Sequence, residues 1–232
     1  MHLPANAQTI ISTTSTAQEQ GEDIATLWSG GRITLPVDFR DLLSERIANY
    51  IMSPTHLNTF MDLEYAGPEE FLMRTLLRFP SAPTTSSEYG VAIHNTLEWY
   101  GLQLGSGENP SIDLALSHFD AELSHRYLVE HDRKEIGSRG RLVLEKYLTA
   151  RSEMFGNPAK FEVNFAGEGV VIGEARLTGK IDRLEVDKDK KTLSIVDYKT
   201  GKPLTRWVSS MNAYNYRHQL YFYKLLVEGS HT

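Results

Sequence analysis

The sequence predicts a mixed α/β fold of the α+β kind: an N-terminal helical region followed by a small mixed β-sheet flanked by helices. Three observations carry this. Apolar residues recur at helical spacing in a series of segments through residues 36–157. At Ala159 the pattern switches to alternation of apolar and polar residues, which is the period of a half-buried strand. Helical spacing then returns over Asn212–Val227.

Composition narrows the function classes. At 232 residues the chain is one large domain or one and a half. A hydrophobic fraction of 41% suffices for a core. No apolar run is long enough to span a membrane, so no membrane partner is expected. MHLPANAQTIISTTSTAQEQ lacks the basic-then-apolar order of a secretory signal, and a cytoplasmic location is expected. Zero cysteines exclude disulfides, cysteine-ligated zinc fingers and an iron–sulfur cluster held by cysteines. A net charge of -6 argues mildly against a free-standing nucleic-acid binder, because phosphate contacts come from Lys and Arg. A module fused to a larger DNA motor needs less affinity of its own.

Residues 1–35 are rich in Thr, Ser, Gln and Gly without a sustained period and read as a flexible polar linker. Such a leader fits a domain excised from a longer polypeptide. Asp38–Ile51 is amphipathic and predicts a helix. Ser53 is a good N-cap and Pro54 suits the first turn of the next helix. Pro68–Arg78 predicts another short helix, ended near Pro80. After a Ser/Thr/Pro loop a helix starts about Ser87. Gly90 and His94, four apart, lie on one face of it, where glycine lets the helix approach the sheet closely. Two long helices are expected over Pro110–Tyr127 and Asp132–Phe155. The second carries Arg133, Lys134, Arg139, Arg141, Lys146 and Arg151, either a DNA-facing stripe or a solvated face. Gly137 and Gly140 weaken it and mark where it would break.

From Ala159 the strands begin. KFEVNF puts Phe161, Val163 and Phe165 on one side and Glu162 on the other. GEGVVIG reads as a turn and a short strand. EARLTGKIDRLEV reads as the long first arm of a hairpin, DKDKK as its turn and TLSIVDYK as its second arm. With the turn centred between Asp189 and Lys190, Val186 faces Leu193 and Asp182 faces Asp197. Two carboxylates side by side repel each other, and a divalent cation is the obvious compensation, since hard cations prefer oxygen ligands. Lys199, two residues after Asp197, shares that face. Two carboxylates and a lysine beside a metal make a compact site for cutting phosphodiesters. The alternative is a solvated hairpin face. Gly173–Lys180 is not a P-loop: five residues separate its glycines rather than four, and Ile181 stands where Ser or Thr is required. Asn212–Val227 places Gln219 and Tyr223 one turn apart on one face.

The ordered set GKIDR, VDYKTG and Gln219-x-x-x-Tyr223 resembles the RecB-type branch of the PD-(D/E)xK nuclease superfamily. More narrowly it is similar to the C-terminal nuclease domain of UvrD/Rep-like helicases, over roughly the chain from Met52 onward. SPTHLNTFMDL resembles the opening of that domain, and Gly90-x-x-x-His94 its Gly-x-x-x-His motif. The resemblance implies a restriction-endonuclease-like core and a single nuclease domain, built from the helical part (36–157) and the core sheet with the Gln-x-x-x-Tyr helix (158–232). It implies His94, Asp182 and Asp197 as ligands of Mg²⁺ or Mn²⁺, with the Tyr198 backbone carbonyl completing the protein ligands. Lys199 is the catalytic lysine, and Glu162 the further acid, with Glu174 a rival for that place. Gln219 and Tyr223 position the DNA. Relatives add another strand after this last helix, so a domain truncated at its C-terminus is expected. Several relatives carry a cysteine-ligated iron–sulfur cluster, and this chain has no cysteines to hold one.

The expected function is metal-dependent hydrolysis of DNA phosphodiester bonds, as an exonuclease module working with a helicase motor domain, in cis or in trans, in DNA repair or recombination. Two rivals stand beside it. One is a non-catalytic DNA-binding or scaffold module that keeps the nuclease-like fold. The other is a plain α/β interaction domain whose hairpin acids are solvated.

Overall fold

The computed structural model describes residues 39–63, 66–151, 155, 159–204 and 211–230. The predicted linker lies outside them. The chain divides into two compact units, Met1–Ala48 and Asn49–Thr232. In the first, a single described helix, α1 (Phe39–Ala48), is shorter than the predicted one. Ile51 belongs instead to a strand of the second unit, β1 (Ile51–Met52).

After β1 the second unit continues with helices. The Ser53 hydroxyl accepts the His56 N–H at 3.2 Å and Pro54 occupies the first turn of α2 (Pro54–Met61), as expected of an N-cap followed by proline. Helix α3 (Gly67–Glu70) widens into a π-helical stretch, Phe71–Leu76. A capping box between Thr84 and Ser87 starts α4 (Thr85–Gly105). Ser111 caps α5 (Ile112–Ser124), and α6 spans Glu130–Arg151. These last three helices bury Tyr89, Ile93, Leu97, Phe119, Leu144 and Leu148 in one apolar core.

Helix α6 is not broken at its glycines. A Cβ at Gly140 would lie 2.2 Å from Cζ of Phe119, so glycine there lets α6 close on the buried ring. A Cβ at Gly137 would meet only Leu123 Cδ1, at an ordinary 3.6 Å. The two glycines therefore respond oppositely to alanine. Gly137→Ala gains helix propensity and raises stability by about 0.5–1 kcal/mol. Gly140→Ala gains the same propensity but overpacks the core by about 1–3 kcal/mol, a net loss. Urea midpoints with unchanged slopes measure both.

Two three-stranded sheets follow rather than one. The predicted long arm EARLTGKIDRLEV is split. Its first part is β4 (Ala175–Leu177), which pairs parallel with β1 and antiparallel with β3 (Val171–Ile172). Its second part is β5 (Lys180–Asp187), the centre of the other sheet between β2 (Ala159–Asn164) and β6 (Thr192–Val196). The break falls at Thr178-Gly179. Thr178 donates its N–H to Met52, and the Gly179 carbonyl accepts from Phe165. A Cβ on Gly179 would stand 2.7 Å from Leu226 Cδ1, so the bare backbone is what the last helix, α7 (Met211–Gly229), packs onto. Alternation alone cannot reveal such a change of sheet, because both halves keep period two.

The hairpin register is the predicted one: Val186 pairs with Leu193 and Arg183 with Val196. Strand β6 ends at Val196, so Asp197–Thr200 continues without ladder bonds. Helix α4 crosses the sheet on the face that holds Gly101, where a Cβ would fall 2.0 Å from the Phe161 ring. That close approach fixes the height of α4 over β2 and β5.

Candidate active site

The ladder builds a row of acids. Phe161 pairs with Arg183 and Val163 with Ile181, so Glu162 stands opposite Asp182. Extended one residue past Arg183 and Val196, the same register sets Asp182 against Asp197, just beyond the end of the ladder. Three carboxylates, one from each strand segment, therefore share a row across β2, β5 and the end of β6. Directly opposite residues point to one face, and like charges there are destabilising unless compensated. Asp182, at the centre, is buried, and its Oδ2 accepts the Tyr198 N–H at 2.7 Å.

Helix α4 supplies the imidazole. His94 lies two helical turns before Gly101, on the same face, and reaches over the row. Its Nδ1 is 3.3 Å from Asp182 Oδ1, and its Nε2 is 2.9 Å from the Tyr198 carbonyl. A carbonyl only accepts, so Nε2 carries a hydrogen. Burial pushes the imidazole pKa down. The hydrogen bond and charge of Asp182, the Tyr198 carbonyl and the charge of Glu162 outweigh that and leave it raised. The metal-free site thus holds the His94 proton more tightly than a free imidazole does.

Glu162 has a backbone φ of 50°, left-handed within a strand, and its rung with Asp182 is missing from the ladder. Side chains other than Gly, Asn and Asp rarely adopt that conformation, at a cost of about 1–2 kcal/mol. His94, Glu162 and Asp182 offer ligand atoms all within 4.8 Å of one another. One half-buried imidazole and two carboxylates, with a backbone carbonyl alongside, form a hard, oxygen-rich donor set that fits a divalent cation.

Asp197 lies outside that trio and is held differently. Its Oδ1 accepts from Gln219 Nε2 at 3.0 Å and from the Tyr223 hydroxyl at 3.2 Å, and its Oδ2 is ion-paired with Lys199. Gln219 Oε1 in turn accepts from Lys199 Nζ at 2.9 Å, and Gln219 Nε2 also donates to the Tyr223 hydroxyl at 2.7 Å. Burial raises the Asp197 pKa, opposed by Lys199. Gln219 and Tyr223 share a face of α7 with Leu226, so the packing of Leu226 on Gly179 aims both at the end of β6.

The structure therefore brings His94, Glu162, Asp182, Tyr198, Asp197, Lys199, Gln219 and Tyr223 together. Glu174 sits between β3 and β4, in the other sheet, which leaves Glu162 as the acid at the row. Two charged neighbours were not singled out from the sequence. Glu98, one turn after His94, has its pKa raised by burial and by the charge of Glu162, and lowered by Lys180. Lys180 is ion-paired with Glu162. The i+4 spacing from His94 and the i−2 spacing from Asp182 were the available signals.

Of the basic residues of α6, Arg139 lines one cavity with Asp197 and Lys199, while Arg133, Lys134 and Arg141 are engaged elsewhere. Arg133 donates to the Arg126 and Leu128 carbonyls, Lys134 pairs with Glu130, Arg141 with Asp120, and Arg139 covers the Tyr89 ring at 4.4 Å. His118 stacks on Trp99 and His56 bonds the Tyr50 hydroxyl. Tyr221 is 67% exposed. Arg183, next to Asp182, is fully buried over the Phe155 ring and pairs with Glu185, so it anchors β5 in the core rather than joining the row.

A cation at the trio must compete with the proton of His94. The raised pKa of that histidine has a definite sign. Its contribution to metal-free stability is present below its ordinary value of 6.5 and is lost as pH rises through the folded value. Metal affinity runs the other way. The apparent Mn²⁺ affinity should rise about tenfold per pH unit up to the His94 pKa and then level off. Calorimetric titrations from about pH 5.5 to 8.5 measure this.

The sequence profile of the PD-(D/E)XK nuclease superfamily matches residues 51–231, a span that includes every residue of the site. No curated protein matches the chain.

Proposed function

The chain belongs to the PD-(D/E)XK nuclease superfamily, and on that premise we propose that it is a Mg²⁺- or Mn²⁺-dependent deoxyribonuclease. Nucleases of this superfamily use divalent metals. The observation that carries the reading is the convergence of His94, Glu162 and Asp182 within 4.8 Å, beside a lysine pinned by Asp197 and Gln219.

His94, Glu162 and Asp182 would hold the cation, with the Tyr198 carbonyl at the edge of the same site and Asp197 next in the row. When bound, the cation lowers the pKa of water and offsets charge gathering on the phosphate. The chain's own residues do the rest. Lys199 presents a compact ammonium that orients the attacking water or takes charge developing on a phosphate oxygen. Gln219 fixes that ammonium through Oε1 while its amide holds Asp197, so both groups are set before substrate arrives. The Tyr223 hydroxyl closes the network. Gln219 lines a cavity together with Asp197 and Lys199, where it would help position the strand, while the buried Tyr223 holds it in place.

The finer reading is an exonuclease module that works with a helicase motor domain, in cis or in trans, in DNA repair or recombination. The ordered motif set GKIDR, VDYKTG and Gln219-x-x-x-Tyr223 supports it. So does a net charge of -6, which suits a module brought to DNA by a partner. Among the described residues no helix is long and apolar enough to cross a membrane.

End-labelled linear and circular single-stranded DNA, incubated with Mn²⁺, Mg²⁺ or EDTA, tests both levels. Metal-dependent cutting lost in Asp197→Ala and Lys199→Ala is the expected result, with the linear strand cut and the circle spared. Cutting of the circle would make the enzyme an endonuclease. No cutting together with no response to metal would return the case to the scaffold module.

A further inference from the structure

Lys180 opens β5 two residues before Asp182, so the strand period puts its side chain on the acidic face. Its ammonium is ion-paired with Glu162, its one ion-pair partner among the described residues. The Lys180 side chain is 57% exposed and that of Glu162 is 12% exposed. A solvent-reaching cation thus leans onto a nearly buried carboxylate. That carboxylate belongs to the trio suited to a divalent ion. The charges of Glu98 and Asp182 also act on Lys180, so its ammonium sits in the same negative field the ion would enter.

A single carboxylate cannot serve both cations at full strength, and the divalent one carries twice the charge. At the other end of the row Lys199 is held twice, by Asp197 and by Gln219. Lys180 is held once, at the solvent edge. Resting on the nuclease reading above, we propose that Lys180 is a resident counter-ion of Glu162 that a divalent cation displaces, and that its freed ammonium then binds a backbone phosphate of the substrate strand beside the one being cut. Lys180 is in this account a positioning residue for the strand. It also keeps the acid row partly neutralised when no metal is present, which answers the like-charge repulsion of the row.

A plain structural ion pair makes a different forecast: its loss would leave Mn²⁺ affinity unchanged. The test uses Lys180→Gln, Lys180→Arg and, as a control for lost surface charge, Lys188→Gln in the hairpin turn. Mn²⁺ alone is titrated calorimetrically. A nuclease-resistant, phosphorothioate-linked single strand is then titrated with and without Mn²⁺ at several salt concentrations. The expected result is Mn²⁺ binding tighter in Lys180→Gln by roughly three- to tenfold, because a competing charge is gone. Oligonucleotide affinity in Mn²⁺ falls roughly five- to tenfold, and its salt slope becomes shallower by about 0.7, one phosphate contact on a single strand. In EDTA the variant and the wild type bind the strand alike. Lys180→Arg keeps the wild-type slope, and Lys188→Gln shifts neither quantity to this extent. Unchanged or weaker Mn²⁺ binding in Lys180→Gln, or an unchanged slope in Mn²⁺, overturns the proposal while leaving the nuclease reading intact. A wild type that binds no Mn²⁺ overturns both.

Discussion

Asp182→Asn lowers the rate of DNA cleavage by about a thousandfold or more and abolishes stabilisation by metal. Asp182 stands at the middle of the row, between the imidazole and the end of β6. Its Oδ1 faces His94, its Oδ2 takes the Tyr198 N–H, and the register puts it between Glu162 and Asp197. Asparagine keeps a carbonyl for the Tyr198 N–H but replaces a ligand oxygen with an amide nitrogen that cannot bind a cation. The fold itself should tolerate the change. One of three charges in the row disappears, which offsets the loss of the pair with His94, so the metal-free melting temperature moves by no more than about 2–4 °C. In the wild type, Mn²⁺ at a hundredfold over its dissociation constant contributes about 2.7 kcal/mol, or roughly 5–10 °C. Thermal melts in Mn²⁺ and in EDTA separate the two effects. A solvated hairpin face would instead show equal melts for both proteins, with or without metal.

Glu162→Gly separates stability from activity. The left-handed backbone at Glu162 costs about 1–2 kcal/mol for a residue with a Cβ, and glycine removes that cost. Glycine also frees the unfolded chain, which returns about 0.4–1 kcal/mol to the other side. The exposed end of the Lys180 pair adds little. The balance is a protein as stable as the wild type or up to about 1 kcal/mol more so. Cleavage nevertheless falls by about a hundredfold or more, because one of the trio's ligands is gone. Glu162→Asn, which tolerates the left-handed region, should share the stability and the defect. Urea unfolding and single-turnover cleavage measure the two quantities. A destabilised yet fully active Glu162→Gly protein would mean that this backbone conformation serves packing alone.

Much of this site is legible in the sequence because period two is strict where one face is buried. The charged turn DKDKK and the alternating arms fix the hairpin register, and the register alone sets Asp182 against Asp197. The helical period likewise puts His94 on the Gly90 face and Gln219 on the Tyr223 face. What escapes is tertiary. Nothing in EARLTGKIDRLEV marks Gly179 as the place where the chain changes sheet, because the reason is Leu226, nearly fifty residues away. Gly140 reads as a helix breaker until Phe119 is seen beneath it. The division of the row into a trio open to metal and an Asp197 already held by Lys199, Gln219 and Tyr223 depends on how α4 and α7 dock. The left-handed turn at Glu162 has no local signature either, since the favoured residue for it would have been glycine.

The most direct test of a divalent-cation site at this trio is an anomalous-scattering measurement on crystals of the protein soaked in Mn²⁺. A strong peak is expected at about 2.0–2.6 Å from ligand atoms of His94, Glu162 and Asp182 together. That peak should vanish in Asp182→Asn crystals soaked in the same way. A saturating soak that leaves the trio without a peak, or a peak unaffected by Asp182→Asn, would contradict such a site.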